Sequence, residues 1–270
     1  MLTQFLHGSL FPFGLANAVI SLSPICEISI QRQANIRNRH RLSLIQIHVA
    51  ALLAGFTGLF GKFLDVSPAT ITCGRSAFGC LALACGAALT ATSLRLRSGN
   101  DLLVLACSGA ILAVHWISFF LSIQVSSVAV GLLAFATFPL FVTFLEPFFF
   151  RERLRGIDVL TALIVVAGLM LVTPELNLGN RLTQGVLWGI LSALAYAVLS
   201  LLSRSYVRIY PTLTVTFYQQ LIAALCTLPI ALFRPSPITP GDILLLLILG
   251  VVSRPWRKVC QARNGMVGRN

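Results

Sequence analysis

The sequence predicts an all-α integral membrane protein, a polytopic helix bundle of inverted five-helix repeats whose second copy is incomplete. Three observations carry that reading. The 270-residue chain is 57% hydrophobic and 10% charged, against about 25% charged in an average soluble domain, and its mean hydropathy is +0.88. Seven long apolar segments and one short one run from Leu44 to Val252, and basic residues fall in every second gap between them. Arg32, Arg37, Arg39 and Arg41 precede the first segment, Arg95 and Arg97 follow the second, Arg151, Arg153 and Arg155 the fourth, and Arg204 and Arg208 the sixth. The other gaps hold only Lys62, Arg181 and Arg234. Cytoplasmic loops retain positive charge, so the alternation counts crossings and places the basic N-terminal flank inside. The third observation is a repeat at an offset near 140 residues. Pro68 matches Pro211 at 143, Asp101 matches Asp242 and Gly109 matches Gly250 at 141, and Ala50 matches Gly189 at 139.

Each element follows in order. Residues 1–43 read as an extension with a basic flank. Its apolar stretch Leu10–Ile25 is broken by Pro12, Asn17 and Pro24 and lacks a basic n-region. It is therefore a poor signal peptide and short for a span of about 20 residues; an interfacial segment is the alternative. The expected spans are 44–64, 68–92, 102–122, 126–150, 157–173, 184–203, 212–233 and a partial one at 242–252. Gaps such as Asp65-Val66-Ser67 and Gln124-Val125 are too short for an extramembrane domain. Any chemistry belongs inside the bundle or on its rims. Small residues form a ridge on the first span (Ala50, Ala54, Gly58) and another on the sixth (Gly185, Gly189, Ala193, Ala197). Helices in lipid associate through such ridges.

The repeat unit, 44–174, contains five spans. An odd number inverts the second copy, a construction used by secondary transporters with the solute site between the copies. The second copy, 184–252, stops short. Ile243–Val252 spans 10 residues, about 15 Å of helix against a hydrocarbon core of about 30 Å. A basic polar tail, 253–270, follows. The expectation is a truncated or frame-shifted second copy, with a re-entrant or interfacial segment as the alternative.

Polar groups inside a membrane are costly, so each is a functional candidate. Arg75 lies about seven residues into the second span. It is read as a ligand for a solute carboxylate or as a partner of Asp65; the bland alternative is snorkelling to the surface. Its repeat counterpart is Tyr218, followed by Gln219 and Gln220. His115 is either a proton carrier or a packing histidine. Trp116 walls a cavity or belongs to an interfacial aromatic belt. Tyr196, near the small ridge, is read as packing or as a pathway residue. Glu146 with Pro147 is read as an inner gate or proton site, or as a structural ion pair with Arg151, Arg153 or Arg155. Glu152 organises those arginines in the loop. Pro139 frees a carbonyl and permits a kink in the fourth span.

Other classes are excluded by what the sequence lacks. Gly55, Gly58 and Gly61 sit in an apolar helix with no following Lys-Ser or Lys-Thr, so they form no phosphate cradle. The net charge of +12 sits at segment ends, which argues topology rather than nucleic-acid binding. Cys73, Cys80, Cys85, Cys107 and Cys226 lie in apolar segments without a CxxC pair, so no disulfide, metal or other cofactor is expected. No catalytic triad or other convergent acid and base cluster appears, and an enzyme is not expected.

From 44 to 252 the chain resembles the EamA-like drug/metabolite transporter superfamily. The resemblance rests on Pro139-Leu140, Leu145-Glu146-Pro147, Arg151-Glu152-Arg153-Leu154, Val166-Ala167-Gly168-Leu169 and Val172-Thr173-Pro174. It is close in the first repeat and looser in the second. It implies ten helices in two inverted repeats, of which about seven or eight are present here. It further implies a multi-pass protein of the bacterial inner membrane that exports small metabolites or drugs by alternating access, with protons as a coupling ion. The rival expectations are a non-transporting remnant, or a partial bundle completed by another chain such as a second copy.

Overall fold

The computed structural model describes residues 48, 55, 57–64, 66–150, 156–172, 179–233 and 237–252. The expected extension at 1–43, most of the first span, the loop holding Arg151, Glu152 and Arg153, and the tail at 253–270 lie outside the described residues. Residues 1–52 and 53–270 form separate units; in the first, only His48 is described, helical and exposed. The second unit is all helix among the described residues. It comprises α1 (57–63), α2 (Pro68–Leu89), α3 (Gly99–Val125), α4 (Val128–Phe135), α5 (Phe138–Phe150), α6 (Gly156–Val172), α7 (Arg181–Tyr206), α8 (Thr212–Phe233) and α9 (Pro240–Val252).

Five stretches among the described residues are long and apolar enough to cross a membrane: α2, α3, α4 with α5, α7 and α8. α6 and α9 are shorter, at 17 and 13 residues. The limits of α8 match the expected span. α3 and α7 overshoot theirs, because polar caps extend each helix past its apolar run. The Ser98 side chain accepts from Asn100 N–H at 3.2 Å, and the Asn180 side chain accepts from Leu182 N–H at 3.0 Å. Such caps satisfy amides that the first turn leaves unpaired. α2 begins as expected, with Ser67 capping Thr70 N–H and Pro68 in the first turn. It stops three residues before the apolar run ends. There Ala91 takes φ of 49°, and Thr92 N–H reaches back to Ala87 O at 2.9 Å, closing the helix as a left-handed cap usually does with glycine.

The expected fourth span is two helices. α4 ends at Ala136, whose N–H is shared between Leu132 O at 2.9 Å and Leu133 O at 3.1 Å. Thr137 then bonds Ala134 O through both its N–H and its Oγ1. Proline has no N–H to give to Phe135 and its ring crowds the preceding turn. The break at Ala136-Thr137 is thus the kink that Pro139 permits, and Pro139 itself lies on the outer surface.

Packing reverses the pattern of a water-soluble protein. Phe148, Leu171 and Phe233 are more than four-fifths exposed, whereas Thr72, Ser76, Ser122, Ser192, Thr214 and Thr227 are fully buried. Two of these hydroxyls bond a carbonyl one turn back: Thr72 bonds Pro68 O at 2.8 Å and Thr227 bonds Ala223 O at 2.8 Å. α3 is the central helix and packs mainly on α7 and α8, while α2 packs mainly on α8 and α9. α3 and α7 run antiparallel, joined by polar rungs seven residues apart. Ser122 Oγ donates to Gly185 O at 2.6 Å. One heptad along, His115 Nδ1 meets Ser192 O at 3.1 Å. Seven residues further along α3, and eleven along α7, Ser108 and Ser203 are bridged by the Gln219 amide of α8 at 3.3 and 2.9 Å. A seven-residue period keeps one face of each helix toward its partner.

Glycines let the helices approach this closely. On the α7 ridge, a Cβ at Gly189 would run into Ala134 Cβ, and one at Gly185 into Ser126. Two further approaches mirror each other. A Cβ at Gly109 on α3 would lie 2.6 Å from Ile222 Cβ and 2.9 Å from Gln219 O on α8. One at Gly250 on α9 would lie 2.8 Å from both Arg75 O and Phe78 Cβ on α2.

Gly189→Leu should therefore overpack the contact between α4 and α7 and destabilise the bundle by about 1–3 kcal/mol. The check is thermal unfolding in detergent followed by size-exclusion chromatography, with Gly168→Ala as control. A Cβ at Gly168 meets nothing within 4 Å, so that variant should melt like the parent.

Candidate functional site

Arg75 sits two turns into α2 and is only 3% exposed. Its Cζ lies 3.3 Å from the centroid of the Trp116 ring on α3 and 6.0 Å from that of Phe120. The snorkelling alternative therefore fails, because the guanidinium is inside the bundle. Asp65, the alternative partner, lies outside the described residues. A desolvated cation over an indole face is held by about 2 kcal/mol. α3 supplies Trp116 because its face toward α2 is aromatic: Trp116, Phe119 and Phe120 pack with Leu64, Ile71 and Leu246. Trp116 also touches the cluster of Leu112, Ala113, Leu199 and Ala223. It thus lies where α2, α3 and α8 meet, inside the bundle rather than in an outer belt.

His115 adjoins this cation on the side facing α7. It is 2% exposed, and its ring centroid lies 4.6 Å from Trp116, 4.9 Å from Tyr196 and 5.3 Å from Phe135. Phe138, the first residue of α5, closes the group against Tyr196 at 5.3 Å. Phe135 and Phe138, three residues apart on either side of the break between α4 and α5, stack at 5.4 Å and 19°. The result is a buried cation and imidazole enclosed by aromatic faces from α3, α4, α5 and α7. Nearby polar atoms have no hydrogen-bond partner within the protein: Ser76 Oγ, Trp116 Nε1 and Gln220 Oε1 are all buried and unbonded. Such atoms normally find a partner in protein, water or ligand.

Four of the candidates from the sequence, Arg75, His115, Trp116 and Tyr196, therefore come together. Tyr218 and Gln219 do not join them. Gln219 is held by Ser108 and Ser203, and Ser108 lies about 10 Å along α3 from His115. Tyr218 donates to Leu94 O at 3.1 Å, tying α8 to the segment that joins α2 and α3. Both lie toward the end of the bundle that carries Arg95, Arg97, Arg204 and Arg208, here called the basic end.

That end has a polar network of its own. Glu146 pairs with Arg204 on α7, and the Arg204 guanidinium lies 4.5 Å from the Phe150 centroid. The expected partners of Glu146 were Arg151, Arg153 and Arg155, which lie outside the described residues. Among the described residues its partner comes from another helix: α5 packs on α7, which brings Arg204 to the carboxylate. Pro147 falls inside α5 without ending it. Beside this pair, the Tyr210 hydroxyl donates to Asp101 Oδ2 at 2.5 Å and accepts from Arg97 N–H at 2.9 Å. Burial and the bond to Asp101 raise the Tyr210 phenol above its ordinary value, so this donor persists through the neutral and mildly alkaline range.

The sequence reading had not singled out Ser192, Phe135, Phe138 or Tyr210. A usable signal for Ser192 was present, because Ser108, His115 and Ser122 are spaced by seven, as are Gly185 and Ser192. The aromatics gave none, since their grouping with His115 and Tyr196 is made between helices. Among the described residues, no set of three His, Cys, Asp or Glu side chains could hold a metal ion.

Comparison with known proteins adds a family. The profile of the EamA-like transporter family matches residues 41–173 and 183–254. The uncharacterized transporter YxxF of Bacillus subtilis (strain 168) is 24% identical over 230 residues, covering 83% of this chain and 73% of its own. A protein of known crystal structure is similar at a TM-score of 0.57 and 25% identity, over 75% of this chain and 71% of that one.

The Tyr210 contacts have a direct test. Tyr210→Phe removes the donor to Asp101 and the acceptor for Arg97, so amides of residues 93–98 should exchange hydrogen faster. Hydrogen exchange read by mass spectrometry checks this, with α7 amides around Ser192 unchanged.

Proposed function

Since the chain belongs to the EamA-like transporter family, we propose that it is a secondary transporter of the bacterial inner membrane, exporting small metabolites or drugs by alternating access. One observation carries the reading. Arg75, a full positive charge, is buried at 3% exposure inside helices of membrane-spanning length and stacked on Trp116. Retaining a cation there costs several kcal/mol relative to an apolar residue, about 2.5–3.5 kcal/mol on insertion scales. A structural bundle gains nothing from that cost; a pathway for a polar solute does.

Inverted repeats support the mechanism. Gly109 of α3 approaches α8 as Gly250 of α9 approaches α2, an exchange expected of two copies related by a two-fold axis in the membrane plane. α2 and α8 cross antiparallel, with Cys73 against Ala224 and Gly86 against Leu213. With the offset of 143 between Pro68 and Pro211, the matched pair between these contacts is Ala77 and Gln220. The axis then passes beside Ser76 and Gln220, both buried with unbonded oxygens. This is where a solute between the two copies would lie.

In this mechanism Arg75, Trp116, His115 and Tyr196 contact the solute, while Tyr218 and Gln219 hold α8 in place. The Glu146–Arg204 pair, with Pro147 and the kink at Pro139, forms the gate at the basic end, which faces the cytoplasm by the charge rule. A second reading, in which another copy completes the bundle, is favoured by α6. Its Leu160, Leu163, Ile164, Met170 and Leu171 are exposed. Cysteine crosslinking of α6 in native membranes should trap a dimer if that reading holds, and only monomer if it does not.

The test of transport uses purified protein in liposomes and a radiolabelled panel of amino acids, nucleosides and monocarboxylates. The wild type should carry at least one of these. Arg75→Ala should abolish that flux without lowering membrane insertion, and Arg75→Lys should keep a part of it. Undiminished flux in Arg75→Ala would overturn the role given to this cation.

A further inference from the structure

The bonding of His115 decides which of its nitrogens carries hydrogen. Nδ1 lies 3.1 Å from the Ser192 carbonyl oxygen and 2.9 Å from Ser192 Oγ. A carbonyl oxygen only accepts, so Nδ1 must donate. The Ser192 hydroxyl proton has its own acceptor, the His115 carbonyl at 3.1 Å, which leaves Oγ lone pairs facing Nδ1. Both partners of Nδ1 are therefore acceptors. In neutral imidazole the other nitrogen, Nε2, then holds the lone pair.

The groups around the ring supply no negative charge among the described side chains. His115 is 2% exposed. The titratable groups facing it are Arg75 from α2, across Trp116, and Tyr196 from α7 at 4.9 Å; α4 presents Phe135. A second cation there would lie beside the Arg75 guanidinium in a medium of low dielectric. Among the carboxylates whose side chains are described, Glu146 is paired with Arg204, Asp101 receives Tyr210, and Asp242 receives Thr239. None of these offsets a charge on the imidazole.

We propose that His115 works as a permanently neutral hydrogen-bond acceptor, with Ser192 fixing its Nδ1–H tautomer so that Nε2 receives an N–H or O–H donor of the solute. This rests on the transport reading above and replaces the role of proton carrier. The solute class it selects bears an anionic or π-rich group for Arg75 and Trp116 and a hydrogen-bond donor beside it. A solute without that donor leaves Nε2 buried and unpaired, so the site discriminates against it. Ser192 is a positioning residue, since it acts only through the ring.

The first arm of the test needs no solute. The protein, with His7, His40 and His48 substituted, is labelled with nitrogen-15 histidine in lipid bilayers. The expected spectrum is a neutral Nδ1–H imidazole, unchanged from about pH 5 to about pH 8, where a free histidine would titrate. Ser192→Ala keeps the backbone acceptor and should keep that tautomer. A neutral Nε2–H tautomer, or an imidazolium forming in this range, would overturn the proposal. The second arm uses His115→Asn, whose amide can still donate to the Ser192 carbonyl but places no acceptor at Nε2. With the panel compound that the wild type carries, KM should rise roughly tenfold, Vmax should hold, and the pH profile of flux should not move. Unchanged KM, or a pH-dependent flux that becomes flat, would refute the acceptor role. If Arg75→Ala transports normally, the transport reading of the site falls, while the nitrogen spectra still decide the state of the ring.

Discussion

Everything in this bundle depends on satisfying polar groups where no water is available. In hydrocarbon an unpaired amide or hydroxyl costs several kcal/mol, so the backbone coils into helices and the side chains must find partners between them. The contact between α3 and α7 shows how this is met. Three polar rungs at seven-residue spacing, through Ser122, His115 and Ser108, stitch the two helices along their lengths. Glycines and alanines between the rungs bring the backbones close enough for those bonds to form. Close packing and hydrogen bonding are thus one requirement here, because neither ridge nor rung works at the separation that a larger side chain would impose.

The same requirement sorts the polar residues into two kinds. Gln219, Tyr218, Thr214 and Tyr210 are spent on holding α8 and its flanking loop to the rest of the bundle. They cluster toward the basic end. Ser76, Trp116 and Gln220 lie deeper, beside Arg75, and each has a buried oxygen or nitrogen with no hydrogen-bond partner in the protein. These are the groups beside which the proposed solute site is drawn. His115 stands between the two kinds. One of its nitrogens belongs to the scaffold through Ser192, while its ring packs against Trp116, Tyr196 and Phe135.

The break in the fourth span links scaffold to site. Phe135 and Phe138 flank the interruption at Ala136-Thr137, stack on one another and close on Tyr196. α5 then carries Glu146 to Arg204 at the basic end. The fourth span thus contributes both to the aromatic cluster and to the ion pair at the basic end.

The sequence by itself determined the class of the protein, most of its spans, and which residues were chemically conspicuous. Hydropathy and charge bias act through the surrounding solvent and need no knowledge of neighbours. A buried arginine or histidine is conspicuous for the same reason. Helix ends were less legible: Ser98 and Asn180 extend α3 and α7 by caps that an apolar run does not reveal, and Ala91 ends α2 early. Only the tertiary structure decided which polar residues meet. Arg75 and Tyr218 are repeat counterparts in sequence, yet one is stacked in the aromatic site and the other is tied to a loop carbonyl. Glu146 has a partner on α7, Arg204, that no proximity in the chain announces. Pairing of this kind is set by helix crossing and by distances of a few ångströms, which local composition does not encode.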